Sequence, residues 1–393
     1  MEAMMGNVSW SEGLRVGAGY DVVRGEAKQE AVVGELEVTQ DAAGQSGDMT
    51  FIQTHTSEEV DKALEIDAEI KVGVGPFGGS AKMSFREKCK VSQEATFCIV
   101  SVTAYNAYQQ LVRPRLSDEA LELLSTGKRD RFRERFGDNF VSGQYVGAEY
   151  YGVVRIEAKT EARQTEIAGE VSASYGMMAS GSASTNFKSG MSSAEHKIEI
   201  YTFQKGGSVN MCRSIEEMFG NAVRVLDETR AGRGYPFEVS IDPYTELKLP
   251  NDDASFIQTE MAERAIREYM RHTKELTKIA NDIDFVRRNK DWFDNVDMEK
   301  LNAAAGLIAD QVNKLSEHAD VCSRDFAACQ AFSPTYPDYP RWTRKPDAPA
   351  AAGGGFVIKP QLINIGPRKM SPALAAMVKQ RIGQRRLVKV FKS

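Results

Sequence analysis

The stretch from Leu64 to Val91 restricts this chain more than any other. Leu64-Glu65-Ile66-Asp67-Ala68-Glu69-Ile70-Lys71-Val72-Gly73-Val74 alternates apolar and polar residues over eleven positions, the period-2 signature of a strand with one oily face. A turn cluster, Gly75-Pro76-Phe77-Gly78-Gly79-Ser80, follows. From there Ala81, Met83, Phe85, Cys89 and Val91 share one face, and Lys82, Ser84, Arg86, Lys88 and Lys90 the other. Closed as a hairpin with Val74 opposite Ala81, paired positions sum to 155. Glu65 then meets Lys90, Asp67 meets Lys88 and Glu69 meets Arg86. On the oily face Ile66 meets Cys89, Ile70 meets Phe85 and Val72 meets Met83. Such cross-strand pairs contribute roughly 0.2–1 kcal/mol each. Glu87, opposite Ala68 on the oily side, breaks the pattern.

The same residues also carry a helical signal. Thr56-Ser57-Glu58-Glu59 has capping-box spacing, and Val60, Ala63, Leu64 and Ala68 fall on one helical face. Two periods in one segment predict a stretch able to adopt either conformation. Its first arm matches the roughly 9–11 tilted residues with which a β-strand crosses a bilayer, so a change from helix to membrane hairpin is one expectation. The plainer alternative is a half-buried hairpin of a soluble sheet.

A second stretch, 162–195, behaves similarly. Ile167, Gly169, Val171, Ala173, Tyr175 and Met177 alternate with Ala168, Glu170, Ser172, Ser174, Gly176 and Met178. After a turn at Ser180-Gly181-Ser182, Ala183, Thr185, Phe187 and Met191 continue the alternation. Glycine costs about 1 kcal/mol relative to alanine in a helix interior, so any helix here is weakly held. A flexible Gly/Ser loop is the other reading of this composition.

The remainder supplies a frame. Leu14–Gly25 and Ala31–Val38 are early strand material, and Thr96–Leu111, Glu149–Ala158 and Ile198–Phe203 read as strands. Leu116–Phe136 is helical, with Ser117 as cap and Leu121, Leu123, Leu124, Phe132 and Phe136 as its apolar face. Tyr235–Pro250 is an extended connector. Two helical runs follow, roughly Ser255–Arg288 and Met298–Cys329. Residues 333–354, rich in Pro, Ala and Gly, read as a linker, and residues 355–393 as a basic tail.

The 393 residues, 42% hydrophobic, suffice for one large domain or two ordinary ones. A net charge of −5 argues against nucleic acid as a partner. No run of eighteen apolar residues exists, so no transmembrane helix is expected. No basic-then-apolar leader opens the sequence; the expectation is a soluble monomer, cytoplasmic until released or exported by another route. Cys322 and Cys329, seven apart on an expected helix, lie about 10 Å apart at 1.5 Å per residue, beyond disulfide reach unless the helix breaks. Four scattered histidines and no Cys-x-x-Cys leave no metal pattern, and no cofactor is implied. No phosphate loop or nucleophile elbow appears, so the chain is not expected to be an enzyme. The acid pair Asp252-Asp253 suits a helix start.

The order strand, ambivalent hairpin, strand, helix, glycine-rich turn, strand, ambivalent hairpin, strand resembles the membrane-attack-complex/perforin (MACPF) and cholesterol-dependent cytolysin superfamily. Gly17-Ala18-Gly19-Tyr20-Asp21-Val22 is similar to the family's start. Phe136-Gly137-Asp138-Asn139-Phe140 stands where its signature has Tyr-Gly-Thr-His-Tyr/Phe, with Asn139 replacing His. Gly147-Ala148 occupies its Gly-Gly, with Ala148 replacing the second glycine. Pro236–Pro250 and the run from Ala262 to Met270 resemble its connector and following helix. The match covers about residues 14–290, and with the following helix about 1–332 forms one MACPF-like domain.

The resemblance implies an α+β fold: a bent central antiparallel four-stranded sheet flanked by two convertible helical clusters, plus C-terminal helices. It implies a pore-forming protein that oligomerises as a ring on a target membrane, of toxin, defence or immune type, and inserts two β-hairpins per subunit. The partners would be lipid, further copies of the chain, and a receptor or helper protein; a non-lytic adhesion or recognition protein of the same fold is the alternative. Leu64, Ile66, Ile70, Val72, Val74, Met83, Phe85, Ile167, Val171, Tyr175, Met177, Phe187 and Met191 would face lipid. Glu65, Asp67, Glu69, Lys71, Lys82, Arg86, Lys88, Lys90, Glu170 and Lys188 would line the pore. Phe136, Gly137, Asp138, Asn139, Phe140, Gly143 and Gly147 form the signature and hinge, the three glycines letting the sheet bend; ordinary turn glycines are the alternative. In the tail, Leu374, Met377, Val378 and Ile382 share a helical face, with Lys379, Arg381, Arg385 and Arg386 elsewhere. That pattern suits an anionic lipid surface, or equally a helix docked on the acidic body.

Overall fold

A computed structural model describes residues 6–40, 46–66, 81–179, 187, 190–208, 210–250, 258–325, 328–329 and 331–345. Among the expected site residues, Asp67, Glu69, Ile70, Lys71, Val72, Val74, Lys188, Lys379, Arg381, Arg385 and Arg386 lie outside the described residues. So does the tail.

Two long strands form the spine: β6 (Thr96–Leu116) and β7 (Asn139–Ala158). Both are rich in Val, Ile, Phe and Tyr, which suit a pleated buried surface. They pair antiparallel from Thr96↔Ile156 to Gln110↔Gly143. Beyond β6 lie β4 (Val32–Gln40), paired with its later half, and β5 (Ser46–Thr54), paired with its earlier half. Beyond β7 lie β8 (His196–Lys205) and β9 (Tyr235–Pro243), likewise stacked end to end. The expected four-stranded antiparallel sheet is therefore present, with its outer strands each in two pieces. The stretch expected as a connector begins as β9. β1 (Gly6–Ser9) extends the sheet beyond β9, and β2 (Ala18–Asp21) and β3 (Glu26–Glu30) attach near the start of β7.

Side chains alternate across the sheet, and around the early half of β6 and the later half of β7 both faces are covered. Phe97, Ile99, Tyr151 and Val153 look to one face. There they meet α1 (Ser57–Ala63), α2 (Ala81–Lys88), α7 (Gln258–Arg288) and α8 (Met298–Arg324) in one apolar core. Cys98, Val100, Val102, Tyr150, Val154 and Ile156 look to the other, against α5 (Glu161–Ala179) and α6 (Ile215–Arg230). Every residue of Glu149–Ala158 is buried, and its charges, Glu149, Arg155 and Glu157, lie on one face in ion pairs. The helix expected over Leu116–Phe136 is two helices, α3 (Asp118–Ser125) and α4 (Arg129–Phe136). Ser117 caps the first, accepting from Ala120 N at 3.3 Å. Gly127, at φ +71°, ends it in a conformation that disfavours a side chain.

α7 and α8 pack together, and α8 stops at Arg324. That stop brings the Cα atoms of Cys322 and Cys329 to 4.3 Å and lets them join in a disulfide, the exception the helical spacing required. Cys89, Cys98 and Cys212 are free thiols. Residues 331–345, expected in large part as linker, lie along the body instead. Phe332 stacks on His318 with ring centres 4.3 Å apart, Tyr336 OH meets His272 Nδ1 at 2.9 Å, and β11 (Thr343–Arg344) pairs with β10 (Phe293–Asp294).

Candidate functional site

Among the described residues the first ambivalent segment carries α1 and α2 and the second carries α5, and each segment links neighbouring antiparallel strands. The first runs from β5 to β6 through α1 and α2; the second runs from β7 to β8 through α5. They sit on opposite faces of the sheet.

Thr56 caps α1, its Oγ1 accepting from Glu59 N at 3.3 Å. The expected capping box is only half made: the Glu59 carboxylate accepts from Thr54 Oγ1, and Thr56 N donates to Thr54. α1 and α2 hold seven and eight residues, too few to be stable alone in water, so packing holds them. Val60, Leu64, Ile66 and Phe85 fill the core they share with α7 and α8; Met83 packs at its edge. Glu65 and Lys90 follow the two helices at φ +57° and +48°. A left-handed residue other than glycine costs about 1–2 kcal/mol.

Charge binds this cluster to the frame. Lys82, 5% exposed, meets Glu149 at 2.8 Å and Glu65 at 3.3 Å, with its ammonium over the Tyr151 ring. Arg86, 2% exposed, pairs with Asp61 and donates to Ser57 Oγ at 2.9 Å. Lys274 of α7 reaches the same Asp61 at 2.9 Å. Lys82 and Arg86, expected on a water-facing pore wall, are thus buried in ion pairs in this state. Glu65, Lys88 and Lys90 are exposed. Nearby, burial pushes the Glu238 carboxyl up to about 7, with Glu65 and Glu149 adding to the rise and Lys82 opposing it.

The second segment is held mainly by apolar contact. Ile167, Ala168, Val171 and Tyr175 are buried against the sheet and α6. Tyr175 stacks on Phe51 with centres 4.6 Å apart and meets Phe219 edge-on at 5.4 Å. Phe187 packs at the rim of this core, Glu170 and Met177 are half-buried, and Met191 is exposed. Ser172 and Ser174 donate to carbonyls four residues back, a pattern that weakens helices slightly.

All four sheet positions change at one level. β4 gives way to β5, and β6 slips register between Tyr105 and Ala107. The partner of β7 changes from β9 at Gly147↔Tyr235 to β8 at Glu149↔Lys205. A bulge adds bend and twist to its strand. Gly147 lies at this level, and a Cβ there would run into the carbonyl of Ala104. Ala148 is buried without conflict, so one glycine suffices.

The rest of the signature lies elsewhere. Gly137, at φ +73°, ends α4 and is pressed against the Tyr20 carbonyl. Gly143 leaves room for the Tyr108 hydroxyl. Phe136 and Phe140 pack with Phe132 and Tyr244, and Tyr244 OH donates to Phe136 O at 2.9 Å. Asp138 accepts from Val22 N at 2.9 Å, and Asn139 begins β7. Phe136–Phe140 therefore fastens α4 to the sheet end; of the expected hinge glycines, only Gly147 stands at the break.

Asp61, Glu149 and Lys274 were not singled out from sequence. Their partners lie far along the chain, and a lone charge carries no local sign of burial. Among the described residues no helix is long and apolar enough to cross a membrane, and no cluster of metal-ligating side chains occurs.

No family model matches the sequence, and no curated protein is similar to it at a significant level. Several solved structures are similar in fold. Stonustoxin has 13% identity and a TM-score of 0.45, with 83% of this chain and 42% of that one covered. GNIP1Aa from Chromobacterium piscinae has 15% identity and a TM-score of 0.38, with coverages of 68% and 57%. A structure described as the sugar-binding protein pneumolysin has 10% identity and a TM-score of 0.36, with coverages of 62% and 60%. The chain spans between 42% and 60% of the length of these proteins. At such values the weight rests on the chain's own topology. That topology is the α+β arrangement implied by the sequence resemblance: an antiparallel sheet, broken at one level, with a helical segment on each face joining its neighbouring strands.

Proposed function

We propose that this chain, with the fold of the MACPF/cholesterol-dependent cytolysin superfamily, is a pore-forming protein. Copies assemble on a membrane, and residues 56–93 and 162–195 straighten into two hairpins that extend β5–β6 and β7–β8. The observation that carries this reading is one of parity. Pairs in β5–β6 sum to 151 and pairs in β7–β8 to 354. If both registers run on unbroken, Leu64, Ile66, Met83 and Phe85 continue the side of the sheet that bears Ile99. Ile167, Val171, Tyr175, Phe187 and Met191 continue the side that bears Val153. Those are the same side. Two independent alternations thus put their oily residues on one surface, as a lipid-facing barrel wall needs, and leave Glu65, Lys82, Arg86, Lys88, Lys90 and Glu170 on the other, with Lys62, Glu87 and Arg163 among the charges that stay on the oily side.

The register from β5–β6 moves the first hairpin four positions from the pairing suggested by its sequence alone. Lys82 then lies opposite Glu69, Arg86 opposite Glu65, and Lys90 opposite Asp61, so the buried cations exchange one set of carboxylates for another. Ile66 meets Phe85, and Ile167 meets Phe187. Glu87 falls opposite Leu64 and diagonal to Lys62, a distance at which opposite charges still interact. Glu65 and Lys90 leave the left-handed region on extension. Each unpaired backbone group in lipid costs several kcal/mol, so the outer strands must pair with neighbouring copies, and assembly and insertion proceed together. The partners are lipid and further copies of this chain, with a receptor or helper protein as a further class.

Dye release from lipid vesicles tests the reading, with Q53C/S172C as the lock; Ser172 Oγ donates to Gln53 Oε1 at 3.2 Å. The oxidised lock is expected to abolish release and reductant to restore it. Undiminished release with the crosslink verified would remove the second segment from the mechanism. In the inserted form E65C/R86C should crosslink in preference to E65C/K90C.

A further inference from the structure

Fifteen residues after the disulfide, at 331–345, end on a point where both convertible segments begin or finish. Glu94 lies between α2 and β6, at the end of the first segment. Ala158 ends β7, three residues before α5 opens the second. Arg344 joins them: Nη1 donates to Ala158 O at 2.9 Å, and Nη2 donates to Glu94 O at 2.8 Å and to Glu94 Oε2 at 2.9 Å. Trp342 Nε1 donates to the other Glu94 oxygen at 2.7 Å. From the second segment, Gln164 of α5 donates Nε2 to the same Glu94 carbonyl at 2.8 Å, and to Ile156 O at 3.3 Å. One acidic residue therefore receives the strap, while its carbonyl receives both the strap and α5.

The strap is itself well seated. The Arg344 guanidinium lies over the Phe285 and Phe293 rings at 5.8 and 5.4 Å. Trp342 stacks on Tyr339, and Lys345 N donates to Trp292 O at 3.0 Å. Thr335 N donates to Gln311 Oε1 at 2.9 Å. Charge-assisted bonds of planar guanidinium geometry are stronger than neutral ones and more exacting in direction.

We infer that residues 331–345 form an autoinhibitory clasp whose Arg344 and Trp342 hold the junctions of both convertible segments, so that neither opens until the strap lifts. The two segments sit on opposite faces of the sheet and share few neighbours; a tie at their roots makes their release a single event. Straightening α5 moves Gln164 away from the Glu94 carbonyl. Extending β6 backward through Glu94 requires that carbonyl and the following amides to enter a ladder with residues near 57, in competition with the strap. The clasp rests on the pore-forming reading for its purpose, but its existence is measurable without a membrane.

The test is amide hydrogen exchange on the full chain in solution, wild type against R344Q and, separately, W342F. R344Q is expected to raise exchange at least tenfold in residues 84–95 and 158–168 together, with the central pairs of β6 and β7 unchanged. Faster exchange confined to 285–294 and 331–345 would mean a local packing role and overturn the clasp. T343C/D294C, a directly opposed pair in β10–β11, guards against a variant that fails to fold, because it adds a tie and removes none. Its oxidised form is expected to release dye at least tenfold more slowly than its reduced form, with reductant-treated wild type as the reference. Equal rates would overturn the clasp. If wild type releases no dye from any vesicle while R344Q still opens both segments, the pore-forming reading fails and the clasp stands. If wild type releases dye and R344Q changes neither exchange nor release, the clasp fails alone.

Discussion

Where α1, α2 and α7 meet, Arg86 and Lys274 converge on Asp61, and Lys82 reaches across to Glu149 in the sheet. On the opposite face α5 lies on Phe51, Phe219 and the aliphatic residues of β6 and β7, with the Tyr175 ring stacked on Phe51. The helices of the two segments are held on the sheet by different physics. A buried ion network adds little net stability but fails sharply when one member is lost. An apolar face yields gradually, in proportion to the area uncovered, and is indifferent to pH. The first segment is therefore suited to respond to charge, and the second to respond to whatever displaces its apolar bed.

The largest expected effect comes from breaking the charge network. Asp61→Ala leaves the buried Arg86 and the half-buried Lys274 without their shared carboxylate, and should cost about 3–5 kcal/mol in denaturant unfolding. Exchange should rise in 57–66 and 81–90 well before α5. Equal loosening of both segments would erase the distinction drawn between them.

Tyr175→Ala tests the other side. Removing a buried aromatic ring costs about 3 kcal/mol or more, and the loosening should be confined to 161–179 and its neighbours on α6. An effect that spread to α1 and α2 would show the faces to be coupled through the sheet and not only at the roots of the segments.

The smallest effect is the titration of Glu238. Its carboxyl is raised from 4.5 to about 7. Between those values the folded protein keeps a proton that the unfolded chain has lost, so stability falls as pH rises from about 4.5 to 7 and levels off above. Glu238→Gln should remove this slope. It should match wild type near pH 4.5 and exceed it by about 1 kcal/mol at pH 8, as read by thermal unfolding. The pH dependence should also appear in exchange at α2 and not at α5.

Much of this was legible in residue order. The period-2 runs located the two segments that link β5 to β6 and β7 to β8, Ser117 and Thr56 marked helix starts, and the dense Val, Ile and Tyr content of Thr96–Leu111 and Glu149–Ala158 gave the spine. The four-position shift between the sequence pairing of the first hairpin and the running register of β5–β6 was not legible. Alternation fixes which face a residue takes, and registers four apart share that face; only the pairing of the flanking strands selects between them. The strap at 331–345 was hidden because Pro-rich composition is the same whether such a stretch floats or docks.

The sequence by itself determined which side chains share a face wherever these stretches are extended, because alternation is a property of neighbouring residues. It also carried a helical pattern at Val60, Ala63, Leu64 and Ala68, a different grouping that overlaps the start of the first alternating run. Only the tertiary structure decided that α1, α2 and α5 are helices, through cations at 82 and 86 finding carboxylates at 149 and 61 and rings at 51 and 175 coming into contact. Contacts between residues so far apart are settled by the closing of the whole sheet, and no local pattern records them.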